Sequence, residues 1–280
     1  EHETGGFNFL SHSSDEVTIV TSYVDLGSFA KGEYNNKHTP ELYKAWMKIF
    51  AKIKNPVIAY FADDEFERLF LQIRSNQPKD KTKTVKFDLS ESWAFSLQPR
   101  IKEIILSPGY PKFHPNTVLP EYGCMMHAKY ELMATTARRN PFQTKYIAWL
   151  DIGLFRDLLG QNTSDFKLTV PPKFDNDKVA YTQVSPFLHP SAEDIFKKNY
   201  ELVCGCYFVG KMSVILSWTT LYRQYVEHYL NLGLTNTDQQ VLYAMAVENK
   251  TVSSKQQLYF TRDTKLIDKW FYLGYLSKKD

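Results

Sequence analysis

Three charged side chains stand at positions where ligand chemistry is expected. Asp151 directly follows the apolar run at residues 146–150, Lys129 lies on an apolar helix face, and Asp238 begins a late helix. Such an apolar run is typical of an inner strand, and α/β proteins bind ligands at the carboxyl ends of these strands. Mg²⁺ and Mn²⁺ keep waters and take further oxygens from substrate phosphates, so one protein carboxylate suits them. The sequence therefore predicts a metal-phosphate site at Asp151.

Each of these residues also has a purely structural alternative. An Asp shortly before a Gly, as at Asp151, commonly caps a turn. The macrodipole of a helix stabilises an acidic first residue such as Asp238, whatever the function. Lys129 either extends its ammonium to the surface or pairs with a phosphate. Gly153 lets a bulky ligand approach the backbone closely, and the residues alone leave all these alternatives open.

The order of predicted elements places these residues in an α/β fold. Up to residue 75 the chain reads strand, helix, strand, helix, and right-handed crossovers between such units give a parallel sheet covered on both faces. The predicted strands are residues 17–23, 57–61, 146–150, 179–184, 204–211 and 257–260. The predicted helices are residues 40–53, 63–74, 124–139, 213–232 and one that starts at Thr237 with a capping box.

Polar segments separate these elements. Residues 78–86 are predicted to be a charged surface loop. Residues 107–123, rich in Pro and Gly, are predicted to form a long irregular loop of the kind that is often functional. Residues 1–16 are predicted to be a polar lead-in or the remnant of a stalk. No repeat or linker divides the remainder, so residues 17–280 are predicted to form a single domain.

Composition excludes several classes of protein. A hydrophobic content of 43% with 15% aromatic residues is typical of an ordered globular chain. The formal net charge of +3 gives no case for nucleic-acid binding. No run of eighteen apolar residues is present. The chain begins with Glu rather than Met, so we expect contact with a membrane only through an N-terminal anchor missing from this sequence.

Common catalytic and metal motifs are missing as well. The sequence has no Gly-rich phosphate fingerprint, no HExxH motif and no GxSxG motif, and its seven His residues lack the spacing of metal ligands. Its three Cys residues allow at most one disulfide, with Cys124 joined to Cys204 or Cys206 as one arrangement. These observations leave the charged residues above as the candidates for chemistry.

The segments around those residues resemble the HtrL/YibB family. The resemblance is carried by Lys129, by NPFQTKY at residues 140–146 and by WLDIG at residues 149–153, with weaker matches at VTIVTSYVDLG (residues 17–27), Gly205 and Asp238-Gln239. It extends from about Val17 to Asp263. Proteins of that family are similar to the GT-A class of nucleotide-sugar glycosyltransferases. The resemblance therefore implies a GT-A-like single domain with a mixed, mostly parallel central sheet covered by helices.

The resemblance also implies an activity. A glycosyltransferase would move a sugar from a nucleotide-sugar donor, with a UDP-sugar favoured, to a hydroxyl of a glycan or glycoconjugate. A catalytically silent relative that binds a sugar or a partner protein is the main alternative. A nucleotidyltransferase is disfavoured because residues 23–27 lack its Gly- and Arg/Lys-rich loop. The implied donor-binding residues are Tyr23, Asp25, Lys129, Asp151 and Gly153, the implied acceptor-binding residues are Gly205 and Gln239, and the implied catalytic residue is Asp238.

One departure from the GT-A pattern concerns the metal. In that class an Asp-x-Asp holds the metal and the donor diphosphate, whereas here the second Asp is Gly153. The resemblance then implies Mn²⁺ (or Mg²⁺) on Asp151 alone, helped by the diphosphate. The His that ligates the metal in some relatives has no match, because no His follows His228. A metal-independent enzyme, with Lys129 and an Arg neutralising the phosphates, is the alternative.

The cellular compartment is inferred from association only. A polar lead-in and a Tyr- and Lys-rich composition suit the luminal part of an anchored Golgi transferase. A bacterial member of the family would instead act in the cytoplasm. The glycosylation patterns at Asn162 and Asn249 occur about as often as chance predicts and do not decide the matter. We expect the secretory pathway.

Overall fold

A seven-stranded sheet forms the centre of the structure, a computed structural model that describes residues 14–32, 36–263 and 268–280. Its inner strands are apolar; all five residues of the strand at 57–61, for example, are buried. In chain order the strands are β1 (Ser14–Tyr23), β2 (Phe29–Lys31), β3 (Asn36–His38), β4 (Val57–Phe61), β5 (Thr82–Lys86), β6 (Thr144–Leu150), β7 (Lys167–Leu168), β8 (Val179–Gln183), β9 (Val203–Lys211), β10 (Gln256–Tyr259) and β11 (Lys278–Lys279).

The sheet is mostly parallel, as the sequence predicts. Its strand order is β10-β8-β9-β6-β1-β4-β5, and only β9 runs antiparallel to its neighbours. From β1 the chain crosses to β4 on one side, and it later returns as β6 on the other side of β1. The carboxyl ends of β1 and β6 therefore form the switch point at which open α/β sheets bind ligands.

Helices cover both faces of this sheet. Successive residues of β1 point to opposite faces, so Val20 belongs to the core beneath α5, α7 and α8, whereas Ile19 belongs to the core beneath α1 and α2. The helices are α1 (Pro40–Met47), α2 (Asp64–Ile73), α3 (Trp93–Ser96), α4 (Gln98–Leu106), α5 (Pro120–Arg139), α6 (Ala192–Lys197), α7 (Met212–Asn231), α8 (Asp238–Glu248), α9 (Lys250–Ser254) and α10 (Tyr272–Ser277).

The prediction of a surface loop at residues 78–86 is wrong. The last five of these residues form β5, an edge strand that pairs in parallel with β4. The β-branched residues Thr82, Thr84 and Val85 favour a strand, and Lys83 and Lys86 are exposed on it, which protects an edge from pairing with other chains. The high charge of this segment therefore led to the prediction of a loop, although its residues alternate as in an ordinary edge strand.

Other boundaries differ by shorter stretches. The strand predicted from residue 17 begins at Ser14, inside the predicted lead-in, and residues 1–13 lie outside the described residues. The helix predicted for residues 40–53 ends at Met47 and continues as a 3₁₀ turn. The irregular segment predicted for residues 107–123 is shorter, because α5 begins at Pro120. No helix of the described part of the chain is long and apolar enough to cross a membrane.

Candidate functional site

A cavity of about 890 Å³ opens at the carboxyl ends of β1 and β6. The amino-terminal end of the antiparallel strand β9 lies at the same edge, and the start of α8 closes the floor. A small hairpin of β2 and β3, together with α1, forms the opposite side. The volume lies within the range of small-molecule sites, and its position is the one the sheet topology predicts.

Three of the predicted residues meet on the cavity wall and form what we call the Lys129 cluster: Lys129, Asp151 and Asp238. The Lys129 ammonium lies 3.2 Å from Oδ1 of Asp151 and 3.7 Å from Oδ2 of Asp238. It donates a hydrogen bond of 3.0 Å to the backbone carbonyl of Gly205. The Lys129 side chain is only 3% exposed, so its ammonium does not extend to the surface as one alternative from the sequence proposed.

Burial and neighbouring charges shift the pKa values of Lys129 and Asp238 in opposite directions. Burial alone would lower the pKa of Lys129, but the carboxylates of Asp151 and Asp238 outweigh it, so this pKa is raised and the ammonium stays charged. Burial raises the pKa of Asp238, and the neighbouring Lys129 opposes that rise. Oδ2 of Asp238 is buried and has no hydrogen-bond partner among the described residues, so this carboxylate has free capacity to accept a proton.

Asp151 does not cap a turn. Its Oδ1 accepts a hydrogen bond of 2.6 Å from the indole Nε1 of Trp149, and its Oδ2 accepts one from Lys129. Its backbone N–H donates to the carbonyl of Cys206, which anchors it between β6 and β9. The side chain is 33% exposed and faces the cavity, so the ligand-facing alternative for Asp151 fits the geometry and the capping alternative is wrong.

Asp238 lies at the first residue of α8, as the sequence predicts. The predicted capping box of Thr237 and Gln240 fixes the start of that helix. Gly205 makes room for the carboxylate, because a Cβ built on Gly205 would lie 2.1 Å from Oδ2 of Asp238. The N–H of Gly205 donates to Oε1 of Gln239 at 3.1 Å. Gly205 therefore holds the cluster through its backbone, and its contact with an acceptor stays a prediction from the resemblance.

Cys204 and Cys206 flank this glycine and form a disulfide, with Cα atoms 5.3 Å apart. Both face the cavity, because they are two residues apart on one strand. Cys124 is a buried free thiol, so the arrangement that joined it to one of this pair is wrong. The sequence signal for this pairing was the alternation of side chains along a strand, which places residues 204 and 206 on the same face.

Gly153 packs against Trp46 and also lines the cavity. A Cβ on Gly153 would lie 2.8 Å from Cε3 of Trp46, so the indole of α1 occupies the space that a side chain at position 153 would need. One bulky group that approaches this backbone is therefore Trp46, and the contact of Gly153 with a donor stays a prediction from the resemblance. This packing gives a physical reason why an Asp is missing at the second position of the metal motif.

Substitutions at Gly153 test this packing. Gly153→Ala should lower the free energy of unfolding by about 1–3 kcal/mol, the usual cost of overpacking, because the Trp46 ring is rigid and is also in contact with the guanidinium of Arg156. Gly153→Asp should be at least as destabilised and should gain no stability from Mn²⁺. Urea unfolding measures both. Gly123→Ala is the matched control, because its Cβ would meet nothing closer than 3.8 Å; equal losses in the two Ala variants contradict the packing.

The residues around Asp151 fit a divalent metal poorly. Within the described ranges no group of three His, Cys, Asp or Glu residues is placed to hold a metal ion. Both oxygens of Asp151 already accept hydrogen bonds, and a cation beside them would face the ammonium of Lys129. Mn²⁺ or Mg²⁺ at Asp151 therefore stays a prediction from the sequence.

The cavity also has an aromatic wall, made of Phe29, His38, Tyr43, Trp46 and Tyr122. Neighbouring rings along it are 5.1–6.0 Å apart between centroids. Burial, with smaller contributions from the charges of Lys31 and Arg156, lowers the pKa of His38 to about 4. The His38 imidazole is therefore neutral at pH 7, and the wall offers uncharged faces on which a base or a sugar ring can stack.

The other predicted residues are placed unequally. Tyr23 and Gln239 line the cavity. Asp25 does not, since its carboxylate accepts the N–H of Gly27 and it lines a separate, smaller depression with Leu89 and Phe95. Sequence reasoning missed Arg156, and it included Lys31 only as the end of a loop, residues 25–31, expected to hold the nucleotide; both residues line the cavity. The position of Arg156 five residues after Asp151 was the only sequence signal for it.

Comparison with known proteins identifies one family. The model of the HtrL_YibB family, described as "Bacterial protein of unknown function", matches residues 15–273. No curated protein matches the chain. The match covers the Lys129 cluster, the disulfide and all five residues of the aromatic wall.

Proposed function

The chain belongs to the HtrL_YibB family, and on that footing we propose that its cavity is the active site of a nucleotide-sugar-dependent glycosyltransferase. The donor is a nucleoside diphosphate sugar, with a UDP-sugar favoured. The acceptor is a hydroxyl of a glycan or glycoconjugate. The family is described as one of unknown function, so the proposal depends on the geometry of the site.

The observation that carries the proposal is the position of the Lys129 cluster. Asp151 and Asp238 face one cavity at the switch point of a mostly parallel sheet, and Lys129 holds both of them. Nucleotide ligands bind at such switch points. Lys129 lies between the two carboxylates, and burial raises the pKa of Asp238 beside the cavity. A carboxylate with a raised pKa is what acid-base chemistry on a hydroxyl needs.

The proposed reaction is a single displacement at the anomeric carbon of the donor sugar. The acceptor oxygen forms the new bond, the bond to the nucleoside diphosphate breaks, and the carboxylate of Asp238 takes the acceptor proton. The raised pKa of Asp238 makes its carboxylate a better base than an exposed Asp. If the configuration at that carbon is retained, Asp238 positions the sugar and takes no proton.

The aromatic wall supports the same assignment. It presents neutral ring faces to the same cavity as the two carboxylates. A nucleobase or a sugar ring gains stacking energy on such a surface without needing to pair with a charged group. A cavity lined by both acid-base residues and rings matches a ligand that has both a polar reacting end and an aromatic end.

One observation favours a second candidate, a catalytically silent protein that binds a sugar or a partner. The Asp238 side chain is 2% exposed and Lys129 already neutralises much of the charge on Asp151, so the cluster would also serve as a purely structural ion pair.

The secretory pathway stays a proposal for the compartment, and the Cys204–Cys206 disulfide supports it because disulfides persist in oxidising surroundings. A cytoplasmic location is the alternative for a bacterial member.

Donor turnover distinguishes the two candidates. The purified protein is incubated with UDP-, GDP- and CMP-sugars, with EDTA or with Mn²⁺, and nucleotide release is measured. We expect turnover of one donor, and a loss of about 10²-fold or more in Asp151→Asn, because removing a charged group that faces the reacting atoms typically costs that much. Asp157→Asn is the control, since Asp157 is exposed and does not line the cavity.

The outcomes separate clearly. Turnover that falls in Asp151→Asn but not in Asp157→Asn supports the transferase. Binding of a glycan in the absence of nucleotide, with no donor turned over under either metal condition, contradicts it and favours the silent candidate. Thermal unfolding of both variants shows whether a loss of turnover comes from a loss of the fold.

A further inference from the structure

The Lys129 cluster cannot neutralise a diphosphate by itself. With both carboxylates ionised, the three side chains carry one net negative charge, because the single ammonium of Lys129 faces both Asp151 and Asp238. A nucleoside diphosphate placed against this cluster alone would be repelled. Positive charge for the phosphates must come from elsewhere in the cavity.

Arg156 is one such charge. Its guanidinium lies 5.2 Å from the ring centroid of Trp46 and 4.7 Å from that of Phe271, and its Nη1 donates 2.9 Å to the carbonyl of Gly153. It forms no ion pair with a carboxylate among the described residues. The two rings hold the guanidinium at the cavity wall, and its planar fork suits two phosphate oxygens at once.

Lys31 is the second charge. Its ammonium lies 5.3 Å from the ring centroid of Tyr122, at the other end of the aromatic wall, and it has no carboxylate partner in the part of the chain that the structure describes. Glu201 also lines the cavity, but it forms no ion pair with Lys31, and burial raises the pKa of Glu201. Lys31 is therefore held by a ring and free to bind an anion.

Both cations act on the same part of the cavity. The charges of Lys31 and Arg156 each lower the pKa of His38, which lies in the wall between Tyr122 and Trp46. Lys112, a third cation on the lining outside the Lys129 cluster, donates a hydrogen bond to the carbonyl of Ile105 and contacts none of the rings of the aromatic wall in a cation-π geometry. Lys31 and Arg156 contact rings of the aromatic wall, and neither forms an ion pair with a carboxylate among the described residues.

We propose that Arg156 and Lys31 bind the diphosphate of the ligand directly and supply the charge that a metal at Asp151 would otherwise supply. This inference rests on the proposed function for the identity of the ligand, but it requires only that a diphosphate binds. Partial enclosure by rings strengthens the contacts of both cations with phosphate oxygens, because the local dielectric is lower than that of water. With the phosphates bound to Arg156 and Lys31, Asp238 would be available to the acceptor.

Calorimetric titration with inorganic pyrophosphate in EDTA tests this inference. Wild-type protein should bind pyrophosphate without metal, and Arg156→Gln and Lys31→Gln should each weaken binding about tenfold or more, since a charged hydrogen bond contributes roughly 1.5–3 kcal/mol. Arg156→Lys should lose less than Arg156→Gln, because it keeps the charge and loses only the planar contact.

Two residues outside the cavity are matched controls. Arg223 lies 4.7 Å from the ring centroid of Trp93, and Lys83 lies 5.3 Å from that of Phe142. Both therefore make the same kind of cation-π contact as Arg156 and Lys31, but on the outer surface. Arg223→Gln and Lys83→Gln should leave the affinity unchanged. Equal affinity in the cavity variants and in these controls overturns the inference, as does binding that requires Mn²⁺.

The result also separates this inference from the proposed function. Metal-free pyrophosphate binding that depends on Arg156, with no turnover of any sugar nucleotide, supports the anion site and contradicts the transferase. Turnover that requires Mn²⁺ and does not depend on Arg156 or Lys31 supports the transferase and overturns the anion site.

Discussion

Lys129→Met is expected to lower the free energy of unfolding by about 3–5 kcal/mol at neutral pH, the usual cost of removing one partner from a buried ion pair. The Lys129 side chain is 3% exposed and is the cation that faces both Asp151 and Asp238. Its removal leaves the Asp238 carboxylate, itself 2% exposed, without a counter-charge. Urea unfolding of wild type and variant measures the difference.

The deficit of Lys129→Met should depend on pH with a defined sign. Without Lys129, burial raises the pKa of Asp238 in the folded state further above its unfolded value. The folded state then holds a proton that the unfolded state releases, so stability falls as the pH rises from the unfolded pKa through the folded one. The deficit should therefore shrink towards pH 4 and be full near neutrality.

Two further variants make the result specific. Lys102→Met removes an exposed lysine from α4 and should change the stability by less than about 0.5 kcal/mol. Lys129→Met combined with Asp238→Asn should recover part of the loss, because it removes one of the two unpaired charges. A deficit below about 1 kcal/mol at pH 7, or one that Asp238→Asn does not reduce, would mean that the cluster is not a buried ion pair.

Gly205→Ala is expected to abolish most of the transfer activity while the fold persists. A Cβ at this position would lie 2.1 Å from Oδ2 of Asp238 and 2.9 Å from its Cγ, so the carboxylate must move. Because Asp238 is the proposed general base, a displaced carboxylate should lower kcat by about 10²-fold or more. Overpacking should also lower the free energy of unfolding by about 1–3 kcal/mol.

Steady-state kinetics and urea unfolding, measured together, test Gly205→Ala. KM for the donor should change little, because Gly205 does not line the cavity in which the donor is proposed to bind. Gly123→Ala is the control glycine, with ordinary van der Waals space around its Cβ, and should keep wild-type kcat. An unchanged kcat in a stable Gly205→Ala protein would remove Asp238 from the proposed mechanism.

Features that depend on neighbouring residues in the chain could be predicted from the sequence. The strand that ends at Leu150 and presents Asp151, and the capping box of Thr237 and Gln240 that presents Asp238, both follow from local patterns. The mostly parallel sheet follows from the alternation of strands and helices. These patterns were sufficient to place the two carboxylates at one edge of the sheet.

Features that depend on distant contacts could not be predicted. Trp46 fills the space beside Gly153 from more than a hundred residues away, and no local pattern announces that contact. Lys31 and Arg156 face one cavity because the hairpin of β2 and β3 folds over the end of the sheet. For the same reason the sequence did not show that the ammonium of Lys129 lies beside Asp151, the residue at which it predicted a metal.

Titration of the wild-type protein with UDP in a calorimeter, with EDTA present, tests most directly whether the cavity is a nucleotide-sugar site. We predict saturable binding of one UDP per chain without added metal, competed by inorganic pyrophosphate and weakened in Arg156→Gln but not in Arg223→Gln. The contradicting result is the absence of binding heat with UDP and with GDP, in EDTA and in Mn²⁺ alike, from protein that unfolds cooperatively.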